Sequence, residues 1–399
     1  MSGSGAEEAL ARVQAVARVA LRLARSAPSG RLLLARLQET IDPAWVPEPW
    51  REAVARELQD AHAASLQALA PQQVEAALRE AWEEKPTAVL QELEVEPFAI
   101  TPAAQVHRGR YEDRPVAVKL LRPGLAAGVR QDLALLEGLL SPLGAAFPAI
   151  DAGALVREFR ERVLDELDLE HEAGSMRRFH RALRSHPELR VPAPVTALSR
   201  EEVLVCELIE GRAPAQAGAA ERDRACAQLV RFIAGGLAAG IVHADPNPGD
   251  LLLTDDGRLA ILDFGSVATP DAARVRALRA AVDAFAQEDE HAFALALSEL
   301  GALEPEHASA LLALLRETLG ELGAAEPVRL DAAAVVRLRE RAERSSPGPL
   351  AELIAHGSLA PADLWPARAL LQMFATIARI GATGAWRELL RQALGEGWG

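Results

Sequence analysis

Apolar positions recur at two periods along this chain, and the switch between them divides it. From Glu7 to Ser26 the period is helical: Val13, Val16, Ala20 and Leu23 share one face, and Arg18, Arg22 and Arg25 the opposite one. "SAPSG" ends this helix, and further helical patterns run to Leu90, broken at "IDPAWVPEPW" and near Pro71. The pattern predicts an α-helical extension over residues 1–90.

At Pro97 the texture turns to β. "AAQVHRGR" and "RPVAVKLL" are strand-like runs joined by "YEDR", a hairpin signature. Helical segments follow at Ala126 to Leu140 and Asp151 to Leu183, then a second strand pair, "RVPAPVTAL" and "VLVCELI", turning at Ser199 to Glu202. Residues 91–213 thus read as a small α+β lobe around one long helix. From 214 to 399 the pattern is nearly all helical, including "FIAGGLAAG", which reads as a buried helix. The exception is "LLLTDDGRLAIL", two short strands about an Asp-Gly turn.

Composition narrows the function. Half the residues are hydrophobic, enough for a sizeable core, and the formal net charge is −14. With 4% aromatic residues and that charge, the chain lacks both the basic surface and the stacking platform that nucleic acid needs. Two cysteines, Cys206 and Cys226, are too few for a disulfide framework, so a reducing cytoplasm is expected. The opening "MSGSGAEEAL" lacks the build of a secretory signal, and no apolar run is long enough for a transmembrane helix. The arginine face at Arg18, Arg22 and Arg25 allows peripheral contact with anionic lipid, although such a face is more often simply solvated.

Of 43 basic residues only Lys85 and Lys119 are lysine, and Asn247 is the sole asparagine. Lys119 stands in "VAVK", where a compact ammonium between two phosphates is not replaceable by a broad guanidinium. Phosphoryl transfer needs such a cation, oxygen ligands for Mg²⁺ and a carboxylate beside the nucleophile. The chain offers these in order: Lys119, a helical carboxylate, Asp245 in "HAD" and Asp263 in "DFG". The stretch "DELDLEHEAGSMRRF" holds several carboxylates that could orient Lys119, among them Glu172, one turn beyond Asp168. In place of a glycine-rich loop stands "AITPAAQVHRGR". Where an Asn ligand is usual, five residues after Asp245, the chain has Asp250, which keeps an oxygen for metal and adds a negative charge.

Taken together these motifs resemble the AarF/UbiB family of atypical kinase-like proteins. The likeness is strong over Pro97 to Pro270 and weak over the helical extension. "VAVKLLRPG", "ELDLEHEA", "CELIEG", "HADPNPGD" and "LDFG" carry it, together with the alanine-rich loop ending in "QVH". The resemblance implies a two-lobed protein-kinase-like fold, α+β, with a helical N-terminal extension and a mostly helical C-lobe. It implies Asp245 and Lys119 as catalytic residues. For the nucleotide it implies Ala103, Ala104, Gln105, Val106, Lys119, Glu172 and Glu207. Asp250 and Asp263 would hold Mg²⁺, with Mn²⁺ as a substitute, and Glu166 and Asp168 form a regulatory acidic pair. It further implies ATP as substrate, ATPase or small-molecule kinase activity, and prenyl-lipid or quinone-pathway enzymes or lipids as partners. Three departures stand out: "RLLLARLQE" replaces a KxGQ motif upstream of Asp42, Asn247 replaces His, and Asp250 replaces Asn. They motivate an alternative expectation, a nucleotide-binding pseudokinase scaffold with little phosphotransfer.

Overall fold

The computed structural model describes residues 67–140, 157, 160–161, 163–344, 357–358 and 360–398. Two compact units divide the chain, one of 1–177 with 192–208 and one of 178–191 with 209–399. The stretch expected to form an amphipathic helix with Arg18, Arg22 and Arg25, and the "RLLLARLQE" stretch, lie outside the described residues.

In the first unit, strand-period residues fold back on each other as predicted. Strands β1 (Glu92–Leu93), β2 (Ala99–Ile100), β3 (Ala104–Tyr111), β4 (Arg114–Leu121) and β6 (Val203–Glu207) form one antiparallel sheet; β4 lies between β3 and β6, and β1 and β2 pair with β3. Glu112 and Asp113 turn the β3–β4 hairpin with φ of 49° and 60°, the two left-handed positions a tight turn requires. Alternate residues Val116, Val118 and Leu120 of β4 enter the core. They meet Val74, Leu78 and Trp82, spaced by four along helix α1 (Pro71–Trp82), so the end of the helical extension is built into this core. The short helix α2 (Pro86–Val89) delivers Leu90 to the same cluster.

Helix α3 (Leu125–Leu140) follows the left-handed Gly124. The long helix expected over Asp151 to Leu183 is interrupted instead: residues 166–168 leave the helix, and α4 (Leu169–Ala182) begins afresh. Asp168 causes the restart, its Oδ1 accepting from the amides of Glu170 and His171, both at 3.0 Å. The expected strand at "RVPAPVTAL" is also broken up, because Pro192 and Pro194 supply no amide to a ladder. What remains is a pair of bonds, Val195 N to Val205 O at 2.7 Å and Glu207 N to Ala193 O at 2.9 Å.

In the second unit, strand β5 (Leu189–Arg190) pairs in parallel with β9 (Leu259–Ile261), which makes a hairpin with β8 (Leu251–Leu253). This pairing places 178–191 with the second unit, although it lies inside the 91–213 range read from the pattern. Gly257, at φ 80°, makes the β8–β9 turn. Strands β7 (Val242–His243) and β10 (Val267–Ala268) pair antiparallel. The central helix is α5 (Ala219–Ala238), and on it pack α6 (Ala272–Gln287), α10 (Leu364–Ile380) and α11 (Trp386–Glu396); α7 (Glu290–Glu299) packs on α6, α8 (Ala308–Leu319) on α7, and α9 (Ala332–Arg344) on α8 and α10. One strand pair, β11 (Val328–Leu330) with β12 (Ala382–Gly384), departs from the all-helical reading of this region.

Candidate functional site

The candidate residues form two groups, one in each unit. In the first, Lys119 lies on β4 directly across from Val106 on β3. Its Nζ reaches both carboxylate oxygens of Glu172, at 3.0 and 2.8 Å. The Glu172 side chain is 1% exposed and that of Lys119 18%, so the lysine is the end of the pair that remains accessible. Of the several carboxylates in "DELDLEHEAG", the fold thus selects Glu172. Asp168 supports it at one remove, capping α4 and accepting the Glu172 amide on its carbonyl at 3.0 Å. Glu166 is half-buried in the turn just before.

Ahead of β3, the alanine-rich segment is a closed turn. Thr101 N donates to Ala104 O at 2.8 Å, and the Thr101 hydroxyl accepts from Ala104 N at 3.0 Å. Arg122, from the "RPG" of the sequence, clamps it: Nε donates to Pro102 O at 3.1 Å, and its amide to Ala103 O at 2.9 Å. Ala103 and Ala104 are buried. Gln105 is buried too, and its amide serves the fold: Oε1 accepts from Leu69 N at 2.8 Å while Nε2 meets His107 Nε2 at 2.7 Å. His107 Nδ1 donates to Glu94 O at 2.9 Å, which leaves Nε2 as the acceptor for Gln105. Burial lowers the His107 pKa, in keeping with a neutral ring. Glu207 ends β6, its carboxylate accepting from Ala193 N at 3.4 Å. Beside the Lys119–Glu172 pair, burial first and the Glu172 charge second push the Cys206 thiol up to about 12, so it stays protonated.

In the second unit, β7 and β10 stitch the "HAD" and "DFG" segments together, His243 opposite Val267. His243 Nε2 donates to the carbonyl of Asp263 at 2.5 Å, and Nδ1 accepts from Asp245 N at 3.4 Å. One ring therefore joins the Asp245 loop to the Asp263 loop. Burial lowers its pKa, against the raising pull of the Asp263 carbonyl. Asp245, 6% exposed, is ion-paired with Arg368 Nη2 of α10 at 3.0 Å. The Thr376 hydroxyl, two turns along α10, donates to the carbonyl of Pro246 at 2.5 Å. Sequence reading missed Arg368, since nothing in a lone arginine 123 positions downstream signals a loop partner. Asn247 is buried, and its carbonyl accepts the Asp250 amide at 3.1 Å. Asp250 O accepts from Leu262 N at 2.9 Å, tying the Asp250 backbone beside Asp263, while Asp263 Oδ1 accepts from Gly265 N at 3.0 Å.

Among the described residues no group of three or more His, Cys, Asp or Glu could hold a metal ion by itself. Asp250 and Asp263 offer hard oxygen donors, which suits Mg²⁺ or Mn²⁺ that completes its shell with phosphate oxygens and water. The donor set fits such an ion. Among the same residues, no helix is long and apolar enough to cross a membrane.

A model of the ABC1 atypical kinase-like domain matches residues 61–296. The chain belongs to that family. Within it, this ABC1 chain is 34% identical over 190 residues to "Protein ACTIVITY OF BC1 COMPLEX KINASE 3, chloroplastic" of Arabidopsis thaliana, covering 45% of the chain and 27% of the relative. It is 31% identical over 189 residues to AarF domain-containing protein kinase 1 of Xenopus tropicalis, covering 44% and 36%. The match thus spans well under half of either relative. A solved complex of a Mycobacterium tuberculosis protein with erythromycin aligns at a TM-score of 0.65 and 22% identity, over 90% of this chain and 89% of that one. The fold is accordingly α+β and kinase-like, as the sequence motifs led one to expect.

Proposed function

We propose that this ABC1 chain binds ATP with Mg²⁺, or Mn²⁺ in its place, and transfers or hydrolyses the terminal phosphoryl group. The observation that carries the reading is the Lys119–Glu172 pair. A chain that uses arginine almost everywhere has a lysine here, with its partner buried and the lysine side chain partly exposed. Glu172 orients Lys119, which binds the non-transferred phosphates. The closed backbone of Ala103 to Val106 covers the nucleotide, and Glu207 borders it. Asp245 accepts the proton of the attacking hydroxyl or water, and Asp250 with Asp263 holds the metal. When bound, Mg²⁺ neutralises charge on the phosphate oxygens. Glu166 and Asp168 bear on activity through the start of α4, which carries Glu172.

The acceptor we propose is a prenyl lipid or a quinone precursor, reached by peripheral contact with a membrane from the cytoplasmic side. This rests on the family resemblance. The reading is tested by following ³²P from γ-labelled ATP, with and without liposomes containing prenyl lipid. Turnover should fall at least about 10²-fold in Asp245→Asn; turnover unaffected by that change would sink the reading. A second reading, a nucleotide-binding scaffold, draws on the Arg368 ion pair at Asp245 and the Asn-to-Asp change at Asp250. It predicts nucleotide binding without turnover in the wild type.

A further inference from the structure

Two glycines sit side by side inside the central helix α5, Gly235 and Gly236, where each costs about 1 kcal/mol relative to alanine. Trp398 explains the first and shares the second with a backbone turn. A Cβ on Gly235 would lie 2.7 Å from the Trp398 indole nitrogen, and one on Gly236 would meet the Ile241 carbonyl at 2.5 Å and the indole ring at 2.9 Å. The helix has a flat seat cut into it, and the indole fills that seat, 7% exposed, with Nε1 donating to Arg231 O at 3.3 Å.

From that seat a continuous aromatic chain runs to the metal-side loop. Trp398 stacks on Phe232, with centroids 5.8 Å apart and planes at 28°, and meets Phe179 edge-on at 5.5 Å. Phe232 contacts His243 at 5.7 Å, and His243 lies edge-on to Phe264 at 5.4 Å. Phe264 is fully buried and follows Asp263 directly. The chain ends on the His243 Nε2 bond to the Asp263 carbonyl.

We infer that Trp398 is a positioning residue for the Asp263 metal ligand, acting through Phe232 and the His243 ring. The inference rests on the metal–nucleotide reading above. A tryptophan serving only bulk packing would need neither the seat at Gly235 nor an unbroken aromatic path to the histidine that bridges the Asp245 and Asp263 loops. Shortening the indole lets the Phe232 and His243 rings shift, and Asp263 shifts with the carbonyl they hold. Residues supporting metal ligands in this indirect way typically govern affinity by about 10- to 100-fold.

The test uses the full chain with a non-hydrolysable ATP analogue, reading thermal stabilisation as Mg²⁺ is titrated. Trp398→Leu should raise the Mg²⁺ concentration for half-maximal stabilisation about tenfold, and Trp398→Phe by less. Phe293→Leu, a core change at a buried α7 position away from these loops, should lower the melting temperature without moving that midpoint. A Trp398→Leu midpoint equal to wild type, with the melting temperature reduced, overturns the inference. Should Trp398→Leu fail to fold, an unchanged midpoint in Trp398→Phe overturns it equally. Wild-type protein showing no Mg²⁺-dependent stabilisation would instead remove the nucleotide reading beneath it.

Discussion

Arg368 sits 3.0 Å from the carboxylate of Asp245, a contact that fixes where the proposed base points. Arg368→Ala should therefore lower kcat by about 10²-fold, the usual penalty for a misplaced reacting group, with the KM for ATP little changed. Arg368→Lys should recover part of the loss, and steady-state kinetics showing an unaltered kcat would contradict the role. His107 supplies a pH dependence. Its pKa is held below the ordinary 6.5 by burial, so the unfolded chain takes up the proton more readily than the folded one. Stability from this residue is complete above pH 6.5 and falls as pH drops from there toward the lowered pKa. Urea unfolding at pH 7.5 and 5.5 should show a steeper loss for wild type than for His107→Asn. Lys119, Asp245 and Asp263 could be picked from the sequence because each sits in a motif whose letters are tied to chemistry. The Gln105 bond to Leu69 could not, since it joins positions 36 apart that only the folded sheet brings together.

At the scale of elements, the β3–β4 hairpin was legible to within a residue: the joining "YEDR" narrows to Glu112 and Asp113, and β3 runs one residue later at each end than its run suggested. Both are forced into the left-handed region without being glycine or asparagine. Replacing them with Asn-Gly should stabilise the first unit by about 1 kcal/mol, since those residues reach positive φ with little strain. Circular dichroism melting would register the gain, and a lower melting temperature would contradict it. The break before α4 was not legible, because "DELDLEHEA" keeps helical periodicity straight through Asp168. A side chain that can cap or continue a helix reads the same in either role. The β11–β12 pair escaped notice because three-residue strands flanked by amphipathic helices carry no period of their own.

Across the molecule, a lysine at 119 with a buried carboxylate partner fits the proposed handling of a nucleotide's phosphates, and the net charge of −14 argues against nucleic acid as a ligand. The kinase-like fold was readable because its motifs come in order; the acceptor was not, because no motif describes it. The most direct test is release or transfer of labelled γ-phosphate by the full chain as Mg²⁺ is raised, comparing wild type with Lys119→Arg. The substitution keeps the charge opposite Glu172 and follows the chain's own preference for arginine. Mg²⁺-dependent turnover in the wild type, falling at least about 10²-fold in Lys119→Arg while the protein stays folded, is the predicted result. Equal turnover in both proteins, or none in the wild type at any Mg²⁺ concentration, would contradict it.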